Sequence, residues 1–306
     1  RPIGEGGFGM VWLSVLDATN EFKAIKFLPG RNPGQLEREL EAVIRYRAAT
    51  AGLHCPNLVP IEHVNRTEHG LYYTMPLADG LDSADPEGED WKPKTLATLI
   101  EIHRRRERWF EASEIKWMVQ QILVALKALG SVGVLHRDIK PENVLFLGGK
   151  PCLCDVSLLA EDSAMVTRRG TPGYAAPSWY LESGGNPDLW GFATTFYSLL
   201  TGNPPDKMGR VAFLFPPQGK DSLSKAEQEE WNRLHRIIWR ATHENPAERF
   251  RCFEDLESVL TGEVSDGAVK KTPRPSASLA EQWRMACDRW KRRINRVVYA
   301  SGWIFL

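Results

Sequence analysis

Short runs of alternating, β-branched and aromatic residues dominate the first 75 positions. These runs are residues 9–16 (GMVWLSVL), 22–27 (FKAIKF) and 70–75 (GLYYTM), and turn-forming residues separate them. Between the second and third runs, residues 34–44 (GQLERELEAVI) carry Leu36, Leu40, Val43 and Ile44 at helical spacing. The pattern predicts a small antiparallel sheet with one helix.

The pattern changes after Met75. Residues 80–93 are rich in Gly, Asp and Pro, which predicts a connector. Residues 113–129 then place five apolar side chains on one helical face, and Ser113 is suited to cap this helix. These side chains are Ile115, Met118, Ile122, Ala125 and Leu129.

The remaining pattern is mainly helical. Gly148 and Gly149 separate two short apolar runs, residues 143–147 and 150–155, which is typical of a hairpin. Helical segments follow from Asp188 to about Leu260. An α+β chain is therefore expected, with a small sheet first and a larger helical part after it.

Composition narrows the class of protein. The chain has 306 residues, of which 42% are hydrophobic and 25% charged, as in ordinary globular domains. Lys+Arg and Asp+Glu both number 39, so no global field attracts nucleic acid, and no nucleic-acid partner is expected.

The five cysteines do not indicate a disulfide framework or a zinc site. They are Cys55, Cys152, Cys154, Cys252 and Cys287. Their number is odd, and no two of them form a C-x-x-C pair. Cys152 and Cys154 alternate along a predicted strand. We interpret both as small buried residues in a reducing compartment.

A glycine-rich run opens the chain. Residues 4–11 (GEGGFGMV) follow the pattern G-x-G-x-x-G-x-V, in which glycines let the backbone approach phosphate groups closely. A dinucleotide-binding loop has a similar pattern but needs a helix next, whereas residues 11–16 favour a strand. Lys26 follows at a distance suited to contacting phosphates. Taken alone, this motif also fits a flexible hairpin with a solvated lysine.

The most specific motif is residues 136–143 (HRDIKPEN), which Asp155 follows. Here the sequence resembles the protein kinase superfamily, in its serine/threonine version because Lys140 stands two residues after Asp138. The resemblance covers about residues 2–260 and implies the bilobal kinase fold. It divides the chain into a small lobe at residues 1–75, and a hinge and large lobe at residues 76–262.

The resemblance also implies a reaction, transfer of the ATP γ-phosphate to protein hydroxyl groups. Asp138 would accept the proton of the acceptor hydroxyl, and Lys140 would steady the γ-phosphate. Asn143 and Asp155 would hold two Mg²⁺ ions, with Mn²⁺ as the alternative metal.

The nucleotide would lie between the two lobes. Lys26 would contact the α- and β-phosphates and pair with a helix glutamate; Glu37, Glu39 and Glu41 compete for this role, and the similarity of the surrounding pattern to the family favours Glu39. Met75 would be the gatekeeper, and Leu77 and Ala78 would form the hinge. The expected nucleotide contacts are Gly4, Glu5, Gly6, Gly7, Phe8, Gly9, Val11, Ala24, Lys26, Met75, Leu77, Ala78 and Leu145.

Residues 170–177 (GTPGYAAP) resemble the end of a kinase activation segment. By that resemblance Thr171 would contact Asp138 and Lys140. Thr167 would be an activation phosphosite, with Arg137 binding its phosphate. An unmodified loop threonine is the alternative.

Two further residues match conserved positions of the family. Asp188, in a D-x-W-G match, would support the backbone of residues 136–143, which correspond to the family's catalytic loop. Arg249 matches an arginine near the end of the family's domain. The apolar Val43 and Ile61 would pack toward Val156 and His136, either as the family's regulatory spine or as ordinary core.

Two triplets depart from the family pattern. Residues 155–157 read DVS where the family has DFG, and residues 176–178 read APS where it has APE. The second change removes the carboxylate that normally pairs with Arg249, so Glu182 becomes the candidate partner. The departures motivate an alternative, an ATP-binding pseudokinase that acts as a scaffold; a small-molecule kinase is third.

The last part of the chain differs from the rest. Residues 263–278 are polar and predict a linker, and residues 279–296 predict a basic juxtamembrane helix. Residues 297–306 are uncharged and at most begin a transmembrane helix. This arrangement predicts a cytoplasmic kinase tethered to an anionic membrane, as in bacterial receptor-like kinases. An amphipathic helix docked on the kinase domain is the alternative.

The expected protein partners follow from the resemblance. They are substrates with serine or threonine acceptors, and a second copy of the chain in a transient dimer for trans-autophosphorylation. The acceptor sequence cannot be derived from the residues, although Glu142 weakly favours a basic residue near the acceptor.

Overall fold

A five-stranded antiparallel sheet forms the first part of the molecule. The computed structural model describes residues 1–6, 9–30, 33–82, 85–106, 109–155, 171–206, 209–217 and 219–264. The strands are β1 (Pro2–Gly6), β2 (Gly9–Leu16), β3 (Glu21–Pro29), β4 (Val64–Thr67) and β5 (Gly70–Pro76). Their order in the sheet is β1-β2-β3-β5-β4. The predicted small sheet is confirmed.

One helix, α1 (Pro33–Thr50), accompanies this sheet, as the sequence predicts. Leu36 and Val43 are buried on its inner face. The apolar pattern misplaces Ile44, however, because its side chain is 55% exposed. Consecutive helical residues are about 100° apart, so Val43 and Ile44 cannot both face a narrow contact with the sheet.

The second part is mainly helical. Its helices are α2 (Leu96–Arg105), α3 (Ala112–Ser131), α4 (Ser178–Glu182), α5 (Pro187–Thr201), α6 (Lys225–Ala241) and α7 (Phe253–Thr261), with 3₁₀ turns at Pro141–Asn143, Lys220–Ser222 and Pro246–Glu248. Every residue of α5 from Asp188 to Thr201 is buried, so this helix is the centre of the larger lobe. Helices α2, α3 and α6 pack against it, and Phe253 of α7 contacts its Phe192.

The start of α3 corrects a sequence prediction. Ser113 lies inside the first turn, because the helix begins at Ala112 and its N-cap is Glu111. The Glu114 carboxylate accepts a hydrogen bond from the Glu111 N–H at 2.8 Å. A carboxylate in the first turn also interacts favourably with the helix dipole, which gives this end the role that the hydroxyl of Ser113 was expected to fill.

A two-stranded hairpin lies between the catalytic loop and the end of the described segment at Asp155. Strands β6 (Val144–Leu147) and β7 (Lys150–Leu153) pair antiparallel, as predicted. Gly148 and Gly149 have φ of 56° and 77°, values that L-residues with side chains rarely adopt in succession. The glycine pair is therefore what permits the tight turn.

Candidate active site

The catalytic loop is fixed by one buried carboxylate. Asp188 is 2% exposed and lies in the first turn of α5, where the Asn186 side chain accepts a hydrogen bond from its N–H. Its two carboxylate oxygens accept hydrogen bonds from the N–H groups of His136 and Arg137, both at 2.7 Å. Arg137 has φ of 66°, so these bonds hold a strained backbone. The structure thus gives Asp188 the contacts that the sequence predicts.

Two polar side chains of the loop contact Asp138, which is 7% exposed. Lys140 Nζ lies 2.8 Å from Asp138 Oδ2. Asn143 Nδ2 donates to the same oxygen and to the Asp138 carbonyl, both at 2.8 Å. Lys140 Nζ also donates to Thr171 Oγ1 at 2.8 Å. Asp138, Lys140, Asn143 and Thr171 therefore form one hydrogen-bonded group, as the motifs predict.

Backbone contacts hold Asp155 close to this group. His136 Nε2 lies 2.9 Å from the Cys154 carbonyl oxygen, and the Cys154 N–H donates to the Asn143 carbonyl at 3.0 Å. Asp155 itself has φ of 69°. Both contacts are made by Cys154, so they hold the chain immediately before Asp155 against His136 and Asn143.

Lys26 contacts Asp155 across the cleft. Its Nζ lies 2.6 Å from Asp155 Oδ1, and its side chain is 6% exposed. Burial alone would lower the pKa of Lys26, but the Asp155 carboxylate outweighs this effect and raises the pKa above its usual value. Lys26 is therefore a fixed cation. The predicted pair of Lys26 with Glu39 stays a prediction, because the Glu39 side chain lies outside the described part of the structure.

Apolar residues on the sheet and hinge line the same cleft. In the sheet register Val11 faces Lys26, and Ala24 pairs with both Leu13 and Met75. Ala24, Met75 and Ala78 are buried. Ala24 lies on β3 with Lys26, Val11 and Met75 lie on the neighbouring strands β2 and β5, and Ala78 follows β5. Such a surface is suited to hold a planar base beside a phosphate-binding lysine.

The rest of the predicted nucleotide contacts are placed as follows. Gly4, Glu5 and Gly6 belong to β1 and Gly9 to β2, Leu77 follows the end of β5, and Leu145 lies in β6. A Cβ atom on Gly9 would lie 2.1 Å from the Phe27 carbonyl oxygen, so only glycine fits there.

Gly7, Phe8, Val156, Ser157 and Thr167 lie outside the described residues, as does the predicted tail from residue 265 onward.

Asp79 is a functional-site neighbour that the motifs did not indicate. Its carboxylate accepts hydrogen bonds from the N–H groups of Gly148 and Gly149, at 2.8 and 2.7 Å. Its own N–H donates to the Phe146 carbonyl at 2.8 Å. Asp79 thus ties the hinge to the β6–β7 hairpin. The sequence indicates this contact only weakly. It shows an acidic residue directly after the hinge, and a pair of glycines whose backbone N–H groups need an acceptor.

Arg249 does not pair with Glu182, which corrects the sequence interpretation. Its guanidinium is 6% exposed and lies 4.1 Å from the Tyr180 ring centroid and 5.6 Å from that of Trp179. It donates to the carbonyls of Tyr180, His243 and Glu244 and to Ser183 Oγ. Among the described residues, no carboxylate pairs with Arg249, and its side chain is not solvated. Aromatic faces and carbonyl dipoles supply the negative potential instead.

The cysteine prediction is confirmed for Cys152. This side chain is 1% exposed, and burial raises the pKa of its thiol to about 11. Cys154 is half-buried, and burial also raises its pKa. Within the described ranges, no group of three or more His, Cys, Asp or Glu side chains is arranged to hold a metal ion.

The membrane prediction has no support from the folded part. None of the helices within the described residues is both long and apolar enough to cross a bilayer.

Solved structures share this fold. The kinase domain of PknI from Mycobacterium tuberculosis superposes with a TM-score of 0.58, over 86% of this chain and 94% of that one, at 21% identity. At this identity the likeness concerns the fold alone.

Sequence relatives carry kinase names. Calcium/calmodulin-dependent protein kinase type 1B from Rattus norvegicus is 26% identical over 96% of this chain and 83% of its own length. The RAC family serine/threonine-protein kinase homolog from Dictyostelium discoideum is 29% identical over 66% of this chain and 44% of its own. The family model described as protein kinase domain matches residues 1–255. With Lys140 two residues after Asp138 and bonded to Thr171, the chain belongs to the protein kinase domain family, in its serine/threonine type.

Proposed function

We propose that this chain transfers the γ-phosphoryl group of ATP to serine and threonine hydroxyls of proteins. The observation that carries the proposal is the convergence of Lys140, Asn143 and Thr171 around the buried Asp138 carboxylate. Phosphoryl transfer requires little covalent chemistry from the protein, so catalysis consists of positioning and charge neutralisation. A preformed group of this kind provides both.

Asp138 is the group that receives the hydroxyl proton. Asn143 Nδ2 and Lys140 Nζ both contact its Oδ2, which fixes the plane of the carboxylate. The Oδ1 oxygen is then the one suited to accept the proton from an incoming serine or threonine. Lys140 lies beside it and neutralises charge on the transferred group, while its bond to Thr171 holds the acceptor-side segment against the loop.

The side chains at the cleft fit magnesium. Asn143 and Asp155 would hold the ion, since both offer the oxygen ligands that Mg²⁺ prefers. Asn143 turns its Nδ2 toward Asp138, which would leave its Oδ1 for the ion. Mg²⁺ ordinarily completes its shell with phosphate oxygens and water, so two side-chain ligands are enough. Bound Mg²⁺ supplies neutralisation of phosphate charge.

Lys26 and the cleft walls bind the nucleotide. Its raised pKa keeps Lys26 charged at neutral pH, so it is available to the α- and β-phosphates. Ala24 of β3, Met75 of β5 and Ala78 after β5 are buried and bind the adenine, together with the partly buried Leu77 and Leu145. Glycines of the β1–β2 turn cover the phosphates.

Three finer proposals rest on the sequence rather than on the described residues. Thr167 is an autophosphorylation site, reached in trans within a transient dimer. Manganese substitutes for magnesium. The basic residues 279–296 attract the chain to an anionic membrane, and residues 297–306 begin a membrane anchor. Partition of the full-length protein into the soluble fraction at low salt, without detergent, would refute this membrane proposal.

The experiment compares wild type with Asp138→Asn for incorporation of radiolabelled phosphate, with Mg²⁺ or Mn²⁺ and generic protein substrates. We expect the variant to lose at least about 100-fold in rate, because general-base catalysis contributes that much. Exposed Asp221→Asn is the matched control and should keep full activity.

Two results would decide against the proposal. Equal incorporation by wild type and Asp138→Asn excludes the proposed chemistry. Tight ATP binding by wild type with no transfer above that of the variant favours the pseudokinase scaffold. Mass spectrometry of the phosphorylated protein then tests both residue specificity and Thr167.

A further inference from the structure

An unusually long connection joins the hinge to the large lobe. Strand β5 ends at Pro76 and α2 begins at Leu96. Structureless connections longer than roughly 12–15 residues are uncommon in compact domains and are often functional. This one is closed at its base by the antiparallel bridge between Gly80 and Pro93. We call it the connector.

The base of the connector is fixed to the large lobe. The Lys94 carbonyl accepts a hydrogen bond from the Phe146 N–H at 3.0 Å, and the Lys94 N–H donates to the Asp79 carbonyl at 2.8 Å. Thr95 also forms a bridge with Leu145 of β6. The connector therefore moves with the β6–β7 hairpin.

The outer end of the connector contacts the small lobe. Arg1 Nη2 donates to the carbonyls of Pro86 and Gly88, at 2.9 and 2.8 Å, and its guanidinium lies 6.0 Å from the Trp91 ring centroid. Trp91 is 3% exposed, so this ring is a rigid support. The Asp85 carboxylate accepts from the Glu87 N–H, and the Trp91 N–H donates to the Gly88 carbonyl, which shapes the turn.

Arg1 is itself part of the glycine-rich end of the sheet. Its carbonyl accepts a hydrogen bond from the Leu13 N–H of β2 at 2.8 Å. Gly4, the first glycine of the motif, follows three positions later in β1 and pairs with Val11. A displacement of Arg1 is therefore passed directly to the strand that leads into the phosphate-covering turn.

A cavity of about 550 Å³ lies below these contacts. Its lining includes Ala78 of the hinge, Asp82, Pro86 and Trp91. The cavity thus continues from the proposed adenine position to the connector.

We propose that Arg1 is a positioning residue, which straps β1 to the connector and so holds the small lobe closed against the hinge side of bound nucleotide. The inference rests on the proposed function, because it assigns the cleft to ATP. The strap joins the two lobes beside the hinge, so it restricts the opening of the cleft. Arg1 acts through β1 and does not itself touch the reacting atoms.

The main test measures binding of Mg·ATP to Arg1→Ala by calorimetry, together with KM for ATP, KM for a protein substrate, and kcat. Two exposed hydrogen bonds are lost, so we expect Kd and KM for ATP to rise about fivefold to tenfold. The protein-substrate KM and the melting temperature should stay unchanged. Arg66→Ala is the matched control, since it removes an equally exposed arginine of the small lobe that pairs with Glu37.

Hydrogen exchange separates the two proposals. In Arg1→Ala, backbone amides of residues 85–91 and of β1 should exchange faster than in wild type. Unchanged exchange in both segments overturns the strap, whether or not nucleotide binds. Unchanged ATP affinity in Arg1→Ala overturns its positioning role, whereas wild type that binds no nucleotide at all refutes the proposed function instead.

Discussion

Asp188 and Arg249 are two buried charges of opposite sign, and they are held in comparable ways. They are 2% and 6% exposed. Among the described residues neither forms a salt bridge. Asp188 accepts hydrogen bonds from two backbone N–H groups, whereas Arg249 donates to three backbone carbonyls and one hydroxyl. Backbone dipoles therefore hold both charges.

The difference between the two lies in what their partners do. The N–H groups bonded to Asp188 belong to the catalytic loop itself, two and one residues before Asp138. The partners of Arg249 lie in α4 and in the turn around residues 243–249, away from the reacting groups. The first charge therefore determines the geometry of catalysis, and the second determines how two parts of the large lobe pack.

Burial opposes ionisation at both positions. It raises the pKa of Asp188, an effect that the two N–H bonds and nearby His136 and Arg137 counteract. It lowers the pKa of Arg249, which the Tyr180 side chain counteracts. Removing either charge should cost stability, but only one of the two changes should greatly reduce activity.

The largest effect is expected for Asp188→Asn. The amide keeps one acceptor oxygen, but its NH₂ group then faces a backbone N–H that has no acceptor. We expect the free energy of unfolding to fall by about 3 kcal/mol and kcat to fall at least about 100-fold. Denaturant unfolding and the phosphorylation assay measure the two effects. A folded variant with near-normal kcat would show that Asp188 does not position the loop.

A smaller effect is expected for Arg249→Met, which keeps the length of the side chain but removes its charge and donors. Stability should fall by about 2 kcal/mol, because one hydroxyl and three carbonyls lose a buried donor and two rings lose a cation. Since none of these partners lies in the catalytic loop, kcat should change less than about tenfold.

Arg249→Lys separates charge from shape at this position. It keeps the charge but cannot reproduce the planar fork, and it should cost about 1 kcal/mol. A loss of activity in either variant as large as that of Asp188→Asn would contradict the distinction between the two charges.

The same two residues show how far the sequence can be interpreted. The position of Asp188 follows from its motif, because a D-x-W-G match at the start of a buried helix specifies both residue and location. The contacts of Asp138, Lys140 and Asn143 follow from eight consecutive residues for the same reason. Motifs are informative where they mark both partners of a contact, as they do for Asp188 and the loop at residues 136–143.

The surroundings of Arg249 could not be predicted this way. Its acceptors are mainly backbone carbonyls, which every residue carries, so no residue type marks them. Glu182, four residues after Ser178, is the carboxylate that the sequence favours, but it does not contact Arg249. The contact of Arg1 with Pro86 and Gly88 could not be predicted for the same reason. Its acceptors are backbone carbonyls of a loop that is distant in sequence.

The smallest effect is expected for Ser178→Glu, which restores the acidic residue of the family's APE triplet. A vacant site for this carboxylate would make the change strongly stabilising, since a buried arginine would gain its missing partner. The structure indicates otherwise. Arg249 already makes four hydrogen bonds and stacks on two rings, and Ser178 is exposed.

We therefore expect Ser178→Glu to change the free energy of unfolding by less than about 0.5 kcal/mol, as is usual for surface substitutions. Exposed Ser222→Glu controls for the added charge. Denaturant unfolding of both variants, alone and combined with Arg249→Met, gives the coupling between residues 178 and 249. A coupling near zero means that carbonyls and aromatic rings have fully replaced the carboxylate. A stabilising coupling above about 2 kcal/mol means that the guanidinium still lacks an anion.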